Sequence, residues 1–336
     1  MVAPYYLMTR IFLTCTYDFF YTLYTFQFKE YIKMYIYMNQ YLTEICKDTI
    51  KFVNNDILLN KRGQSERFTG YTINRIFNEL KFLEKYDTSK INVLNIDCIS
   101  LSLNLKDKRP LLLNLANKSS IGGGWLHGAI AQEEDIFRCT NYFKLYDYTN
   151  IIDTDPVKYT QAYFNSKDVI PLRGVIYTPQ VTIFRDKNYK ILSKNNYTNI
   201  DCLASYAFNL TPNFADEYDE NLRQEYMRLA NDALSKLNQG ADIFNLLDNK
   251  YVYDTYQKIL NILKIAIIKK HKVLILGALG CGAFSNSNIL IAKLFKYILL
   301  DLKFKYLFSE IYFSVLDKNP NQDSNFTVFY KFLHNK

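Results

Sequence analysis

Between residues 40 and 54 the inward-type positions are Leu42, Ile45, Cys46, Thr49, Ile50 and Val53. Steps of three and four place them on one face of a helix that Met38 opens. Residues 71–86 repeat the pattern with Ile73, Ile76, Phe77, Leu80 and Leu83, and the polar stretch from Asn54 to Ser65 between them reads as a loop. The period then changes. Ile91–Ile96 and Leu111–Ala116 are short apolar runs bounded by polar residues and by Pro110, which suits strands buried on both faces. Gly174–Tyr177, Val181–Phe184, Cys202–Phe208, Val273–Leu276 and Ile311–Leu316 read as further strands. Helical spacing returns at Tyr256, Ile259, Leu260, Leu263 and Ile267, and again over Ile289–Phe304. Alternation of this kind predicts an α/β fold, with helices on both faces of a mixed sheet. There is no internal repeat, no Pro/Gly linker and no break in composition after about residue 38. The expected organisation is one domain over residues 38–336 and an aromatic-rich N-terminal helical extension, of unknown role, over residues 1–37. Ile11–Phe28 is largely apolar, but Asp18 lies in its middle, where a charge is costly in hydrocarbon.

Composition narrows the possible classes. Of 336 residues, 49% are hydrophobic and 22% charged, which is ordinary for a folded domain able to bury a core. The net charge of +8 favours acidic partners. The lysines are dispersed, with no dense run beyond Lys269, Lys270 and Lys272, so no patch for sequence-specific nucleic-acid binding is visible. The six cysteines stand far apart, none in a CxxC pair, and only His127, His271 and His334 could join them. That pattern implies no metal site and suits a reducing compartment.

Chemistry concentrates in two places. Glycine is scarce, with 11 in the chain, yet Gly122, Gly123 and Gly124 are consecutive and follow the strand ending in Asn114-Leu-Ala-Asn117. Their N–H groups can form an anion-binding nest, although a plain tight turn has the same signature. Gln132, Glu133, Glu134 and Asp135 come next. Neighbouring carboxylates on a regular helix point about 100° apart; at a loop-to-helix junction they can converge, or they can merely decorate the first turn. A second cluster, Gly277-Ala-Leu-Gly280-Cys-Gly282-Ala-Phe284, lies between an apolar strand and a helix. That is the arrangement that cradles a diphosphate, and equally that of an ordinary strand-to-helix turn. Trp125 either flanks a ligand or packs beside the triplet. Arg138 reads as a partner for a carboxylate, and Arg185 with Asp186 as a pair that orients a loop.

Taken together, the stretch Asn114–Glu134, with a Gly triplet, a seven-residue spacer and Gln-Glu-Glu, resembles the signature of poly(ADP-ribose) glycohydrolases of the compact microbial type. Gly174–Asp186, Gly277–Phe284 and Ile311–Asp317 are similar to later segments of that family, in the same order. The resemblance covers roughly residues 40–334. It implies a three-layer α/β/α macrodomain-like fold and hydrolysis of the ribose–ribose bonds of poly(ADP-ribose). By motif position, Glu134 would be the catalytic acid/base and Glu133 would hold ribose hydroxyls. Asn117, Gly122, Gly123, Gly124, Gln132, Gly280, Cys281, Gly282, Ala283 and Phe284 would contact ADP-ribose. No cofactor and no metal are implied. The partners expected are poly(ADP-ribose) and ADP-ribosylated proteins, for a monomer with no stable membrane association, in the cytoplasm or nucleus. A mono-ADP-ribosyl hydrolase and a non-catalytic ADP-ribose reader are the alternatives. Three features depart from the family pattern: Lys118–Ile121 lacks a proline turn, Leu279 replaces an aromatic, and Asp216–Lys250 looks like a polar insertion.

Overall fold

The computed structural model describes residues 17–61, 63, 65–147, 151–154, 169–211 and 220–336, with side chains from Lys33 onward apart from Asp153. The elements in chain order are α1 (Tyr17–Asn55), β1 (Glu66–Phe68), α2 (Gly70–Asn78), β2 (Lys90–Leu94), α3 (Cys98–Asn104), β3 (Leu111–Leu115), α4 (Gln132–Cys139) and α5 (Tyr142–Leu145). They continue with β4 (Ile152–Asp153), β5 (Val175–Ile183), β6 (Thr198–Ser205), α6 (Glu220–Asn238), α7 (Lys250–Ile268), β7 (Val273–Leu276), α8 (Asn288–Lys296), β8 (Glu310–Ser314) and α9 (Asn325–Leu333).

The strands form one mixed sheet in the order β2-β8-β7-β3-β6-β5-β1-β4. β2, β8, β7, β3 and β6 are mutually parallel, and β5 runs against both β6 and β1. The apolar runs behave as their composition demands. All four residues of β7 and the first four of β3 are buried, which requires helices on both faces. α1 and α3 pack on α4, while α2, α6 and α8 pack on α7. This is the layered α/β architecture that the alternating pattern predicts. The consequence for chemistry lies at the carboxyl ends of the adjacent parallel strands β3 and β7. The two glycine-rich loops emerge there side by side, where open α/β sheets place their ligand crevices.

Several elements differ from the sequence reading. α1 begins at Tyr17 instead of near Met38, and runs without a break through the 37/38 boundary. No Gly or Pro interrupts residues 17–55, and helix propagation is cheap once nucleated. The structure of residues 1–16, including Cys15 and the start of the apolar run, lies outside the described residues. α2 stops at Asn78, eight residues short of the expected end, and Phe82 beyond it is exposed. Gly174–Tyr177 and Val181–Phe184 are one strand, β5, whose register shifts between Thr178 and Val181 around Gln180 at φ +57. The stretch expected as a polar insertion contains α6, which buries Arg223, Tyr226, Ala230, Ala233 and Leu237 and packs on α7. Its polar residues other than Arg223 lie toward the outer face of an amphipathic helix; residues 216–219 lie outside the described set. Of the described cysteines, all are free; Cys46, Cys98, Cys139 and Cys202 are buried and Cys281 is half-buried. No described helix is long and apolar enough to cross a membrane.

Candidate active site

The first loop joins β3 to α4 and closes on itself. Asn117 Oδ1 accepts from the N–H groups of Ser119 and Ser120 at 2.9 Å, and Gly123 N donates to Ser120 O at 2.9 Å. Behind it stands the aromatic cluster of Trp125, Phe137 and Phe143, with Trp125 centroids 5.6 and 5.5 Å from the other two. Trp125 is buried, so its ring packs beside the triplet. α1 braces the same loop. Cys46 Sγ donates to Trp125 O at 2.7 Å, and Gly128 sits against the backbone of Asn39, leaving no room for a Cβ.

Glu133, Glu134 and Asp135 occupy the first turn of α4. Glu133 is 3% exposed and Glu134 7%. Glu133 Oε2 accepts from Asn117 N at 2.7 Å, and its Oε1 from Asn114 Nδ2 at 3.2 Å and Gly122 N at 3.3 Å. Glu134 Oε1 accepts from Gly124 N at 3.0 Å. Its Oε2 is buried with no hydrogen-bond partner among the described residues. Both carboxylates converge on Gly123. A Cβ there would overlap Glu134 Oε1 and lie 3.1 Å from Glu133 Oε2, and φ is +57 besides. Only glycine fits both the backbone and the space.

Burial pushes the Glu133 carboxyl up to about 8, and the charge of Glu134 adds to the rise, while the three donors oppose it. Gln132 is turned the other way. Its amide donates to Leu113 O and accepts from Leu115 N, both at 2.8 Å, and so clips α4 to the edge of β3. Arg138 is buried under the turn. It donates to Asp135 at 3.2 Å, to Trp125 O at 3.4 Å and to Ala129 O. Arg185 pairs with Asp48 on α1 at 2.5 Å. The expected Arg185–Asp186 pair is not formed, because the Asp186 carboxylate accepts from the N–H groups of Asn188 and Lys190 in its own turn.

The second loop, Gly277–Phe284, has the opposite electrostatics. Its carbonyls are engaged one after another. Gly280 O and Phe284 O accept from Asn286 Nδ2 at 3.1 and 3.0 Å, Cys281 O from Asn325 Nδ2 at 3.3 Å, and Ala283 O from Thr211 Oγ1 at 2.6 Å. Gly282 O accepts from Ser285 N at 3.1 Å. The N–H groups of Gly282, Ala283 and Phe284 donate to no described backbone group. Gly282 and Ala283 are exposed, and nothing stands within 4 Å of a Cβ built on Gly282. Leu279 is fully buried.

Three groups that hold this site were not singled out from the sequence. Asn114 is the polar residue inside an otherwise apolar strand, a visible signal because a buried amide needs partners. Asn286 and Tyr251, in contrast, look ordinary among many asparagines and tyrosines. Among the described residues, no group of three His, Cys, Asp or Glu side chains could hold a metal ion.

Comparisons with known proteins bear on this geometry. Residues 46–186 match the family model described as "Microbial-type PARG, catalytic domain". That span contains α4, both glutamates and the whole first loop. This chain resembles microbial-type PARG. Among solved structures, poly(ADP-ribose) glycohydrolase (PARG) from Thermomonospora curvata is 18% identical with a TM-score of 0.61, covering 87% of this chain and 99% of that one. The same enzyme bound to the inhibitor ADP-HPD gives a TM-score of 0.58 at 18% identity over the same shares. PARG from Deinococcus radiodurans in complex with ADP-ribose is 24% identical with a TM-score of 0.57, covering 80% of this chain and 94% of that one. At these identities the structural likeness establishes the fold, which PARG structures share. No curated protein sequence matches the chain.

Proposed function

We propose that the protein hydrolyses the ribose–ribose O-glycosidic bonds of poly(ADP-ribose) and releases ADP-ribose. The observation that carries this reading is Glu134 Oε2, a buried carboxylate oxygen with no described partner, beside a glycine whose missing Cβ leaves room for the Glu134 carboxylate. A buried carboxylate oxygen without a donor is costly, and such sites cluster where catalysis needs them. The match of residues 46–186 to the microbial-type PARG model supports the same substrate.

In this reaction Glu134, as the acid, protonates the leaving ribose oxygen as the anomeric C–O bond breaks. The resulting oxocarbenium-like centre is attacked by water, from which the Glu134 carboxylate removes a proton. Glu133, whose carboxyl burial raises to about 8, holds the ribose hydroxyls, and hydroxyls that donate to it favour its charged form. Gly122, Gly123 and Gly124 line the sugar with their backbone, and the N–H groups of Gly122 and Gly124 hold the two glutamates there. Gln132 acts by fixing α4. Asn117 contributes its side-chain Nδ2 to the distal ribose, and Phe284 packs against it. The N–H groups of Gly282 and Ala283, in the turn that begins at Gly280 and Cys281, receive the diphosphate, while the Cys281 N–H donates to Ala278 O at 3.0 Å and holds the turn.

The test is release of free ADP-ribose from automodified, poly(ADP-ribosyl)ated protein by wild type and Glu134→Gln. Release by wild type alone supports the reading. Release only from mono-ADP-ribosylated protein replaces it with a mono-ADP-ribosyl hydrolase, and ADP-ribose binding without release leaves a reader.

A further inference from the structure

Asn286 is 5% exposed and stands just before the first turn of α8. Its Nδ2 donates to three carbonyls, Phe208 O at 2.7 Å, Phe284 O at 3.0 Å and Gly280 O at 3.1 Å, and its backbone N donates to Gly280 O at 3.0 Å. Its Oδ1 accepts from Tyr251 Oη at 2.7 Å, and Tyr251, in the first turn of α7, is fully buried. One amide thereby ties together the exit loop of β6, the loop after β7 and the start of α7. The Tyr251 hydroxyl, a donor to Oδ1, fixes which way the amide faces. The fit is tight, since a Cβ on Gly280 would lie 2.6 Å from Asn286 Nδ2.

We infer that Asn286, oriented by Tyr251, is a positioning residue for substrate binding. It holds the carbonyls of Gly280 and Phe284, at the two ends of the loop, inward, and so anchors the segment between them. In that segment the peptide carbonyls of Cys281, Gly282 and Ala283 are engaged by Asn325, Ser285 and Thr211, and the N–H groups of Gly282, Ala283 and Phe284 are left for an anionic group. A peptide unit that turned over would present a carbonyl oxygen to a phosphate, converting attraction into repulsion. The assignment rests on the proposed ADP-ribose reading for its ligand, but it concerns binding and not bond cleavage. Affinity and turnover therefore separate the two.

The experiment compares wild type, Asn286→Ala, Tyr251→Phe and a control, Ile291→Val, which trims the buried core of α8 away from the loop. Calorimetry with ADP-ribose, ADP and adenosine is run beside polymer-hydrolysis kinetics and thermal melts. Asn286→Ala is expected to raise the ADP-ribose and ADP Kd, and the KM, by about tenfold or more, with kcat within about threefold. Tyr251→Phe, which removes one hydroxyl at constant charge and shape, is expected to raise them about threefold. Adenosine affinity should not move, and Ile291→Val should lower Tm without altering KM. Unchanged Kd in Tyr251→Phe, or losses that affect adenosine and kcat equally, would overturn the assignment, even if Asn286→Ala fails to fold. Wild type that binds ADP but releases nothing from polymer would sink the proposed activity and leave the positioning role standing. Wild type that binds neither ADP nor ADP-ribose removes both.

Discussion

The two glycine loops look alike in the sequence and do opposite work. Both follow a buried parallel strand and both precede a helix, so a nest for phosphate is a natural reading of each. In the first, the N–H groups of Gly122 and Gly124 are bonded to Glu133 and Glu134. In the second, the carbonyls are bonded inward and the N–H groups of Gly282, Ala283 and Phe284 have no described backbone acceptor. One loop is filled by two acids, and the other, in the proposed function, offers its N–H groups to an anion. Backbone polarity has to be satisfied in each case, and which half is satisfied internally decides what the loop offers a ligand. Glycine content sets neither outcome.

The sharpest way to break this contrast is Glu134→Gln. A loss of about a thousandfold in kcat is expected, in the range of general acid–base catalysis, with the ADP-ribose Kd within about threefold. An equal loss in Kd would make Glu134 a binding group. Gly123→Ala comes next. Its Cβ would displace the Glu134 carboxylate and oppose φ +57, so kcat should fall about a hundredfold, as misplaced catalytic groups do. Near-normal kcat would show that the first loop does not shape the acid.

The second loop is probed by stability. Gly280→Ala should cost about 1–3 kcal/mol, because φ is +74 and the new Cβ would overlap Ala207 and crowd Asn286. Gly282→Ala meets open space and should stay within about 0.5 kcal/mol by chemical denaturation. Equal costs would contradict the described loop. The smallest effect expected is on the pH dependence of folding. Unfolded glutamate ionises near about 4.3, and Glu133 in the fold near about 8, so the folded state holds the extra proton between those values. The stability this group contributes is full below about 4.3 and is lost as pH rises through about 8. Thermal melts from pH 5 to 8.5 should show Glu133→Gln losing less Tm than wild type over that window. A parallel pair of curves would place the Glu133 ionisation elsewhere.

Much of the molecule was legible in the chain itself. The period of apolar residues determined the alternation of strands and helices, because only buried faces enforce it. The scarcity of glycine made Gly122–Gly124 and Gly277–Gly282 stand out, and the spacing to Gln132-Glu133-Glu134 pointed to acids at a helix start. Tertiary structure alone decided the rest. The full length of α1, the merger of two predicted strands into β5 and the packing of α6 depend on neighbours remote in sequence. So does the partnership of Arg185 with Asp48 across 137 positions, where proximity in the chain suggested Asp186. The convergence of Glu133 and Glu134 on Gly123, and the clamp of Asn286 on two loops, follow from how backbone hydrogen bonds are satisfied in three dimensions. A one-dimensional pattern shows which residues are present at a turn; the surrounding donors and acceptors determine which of its atoms remain free.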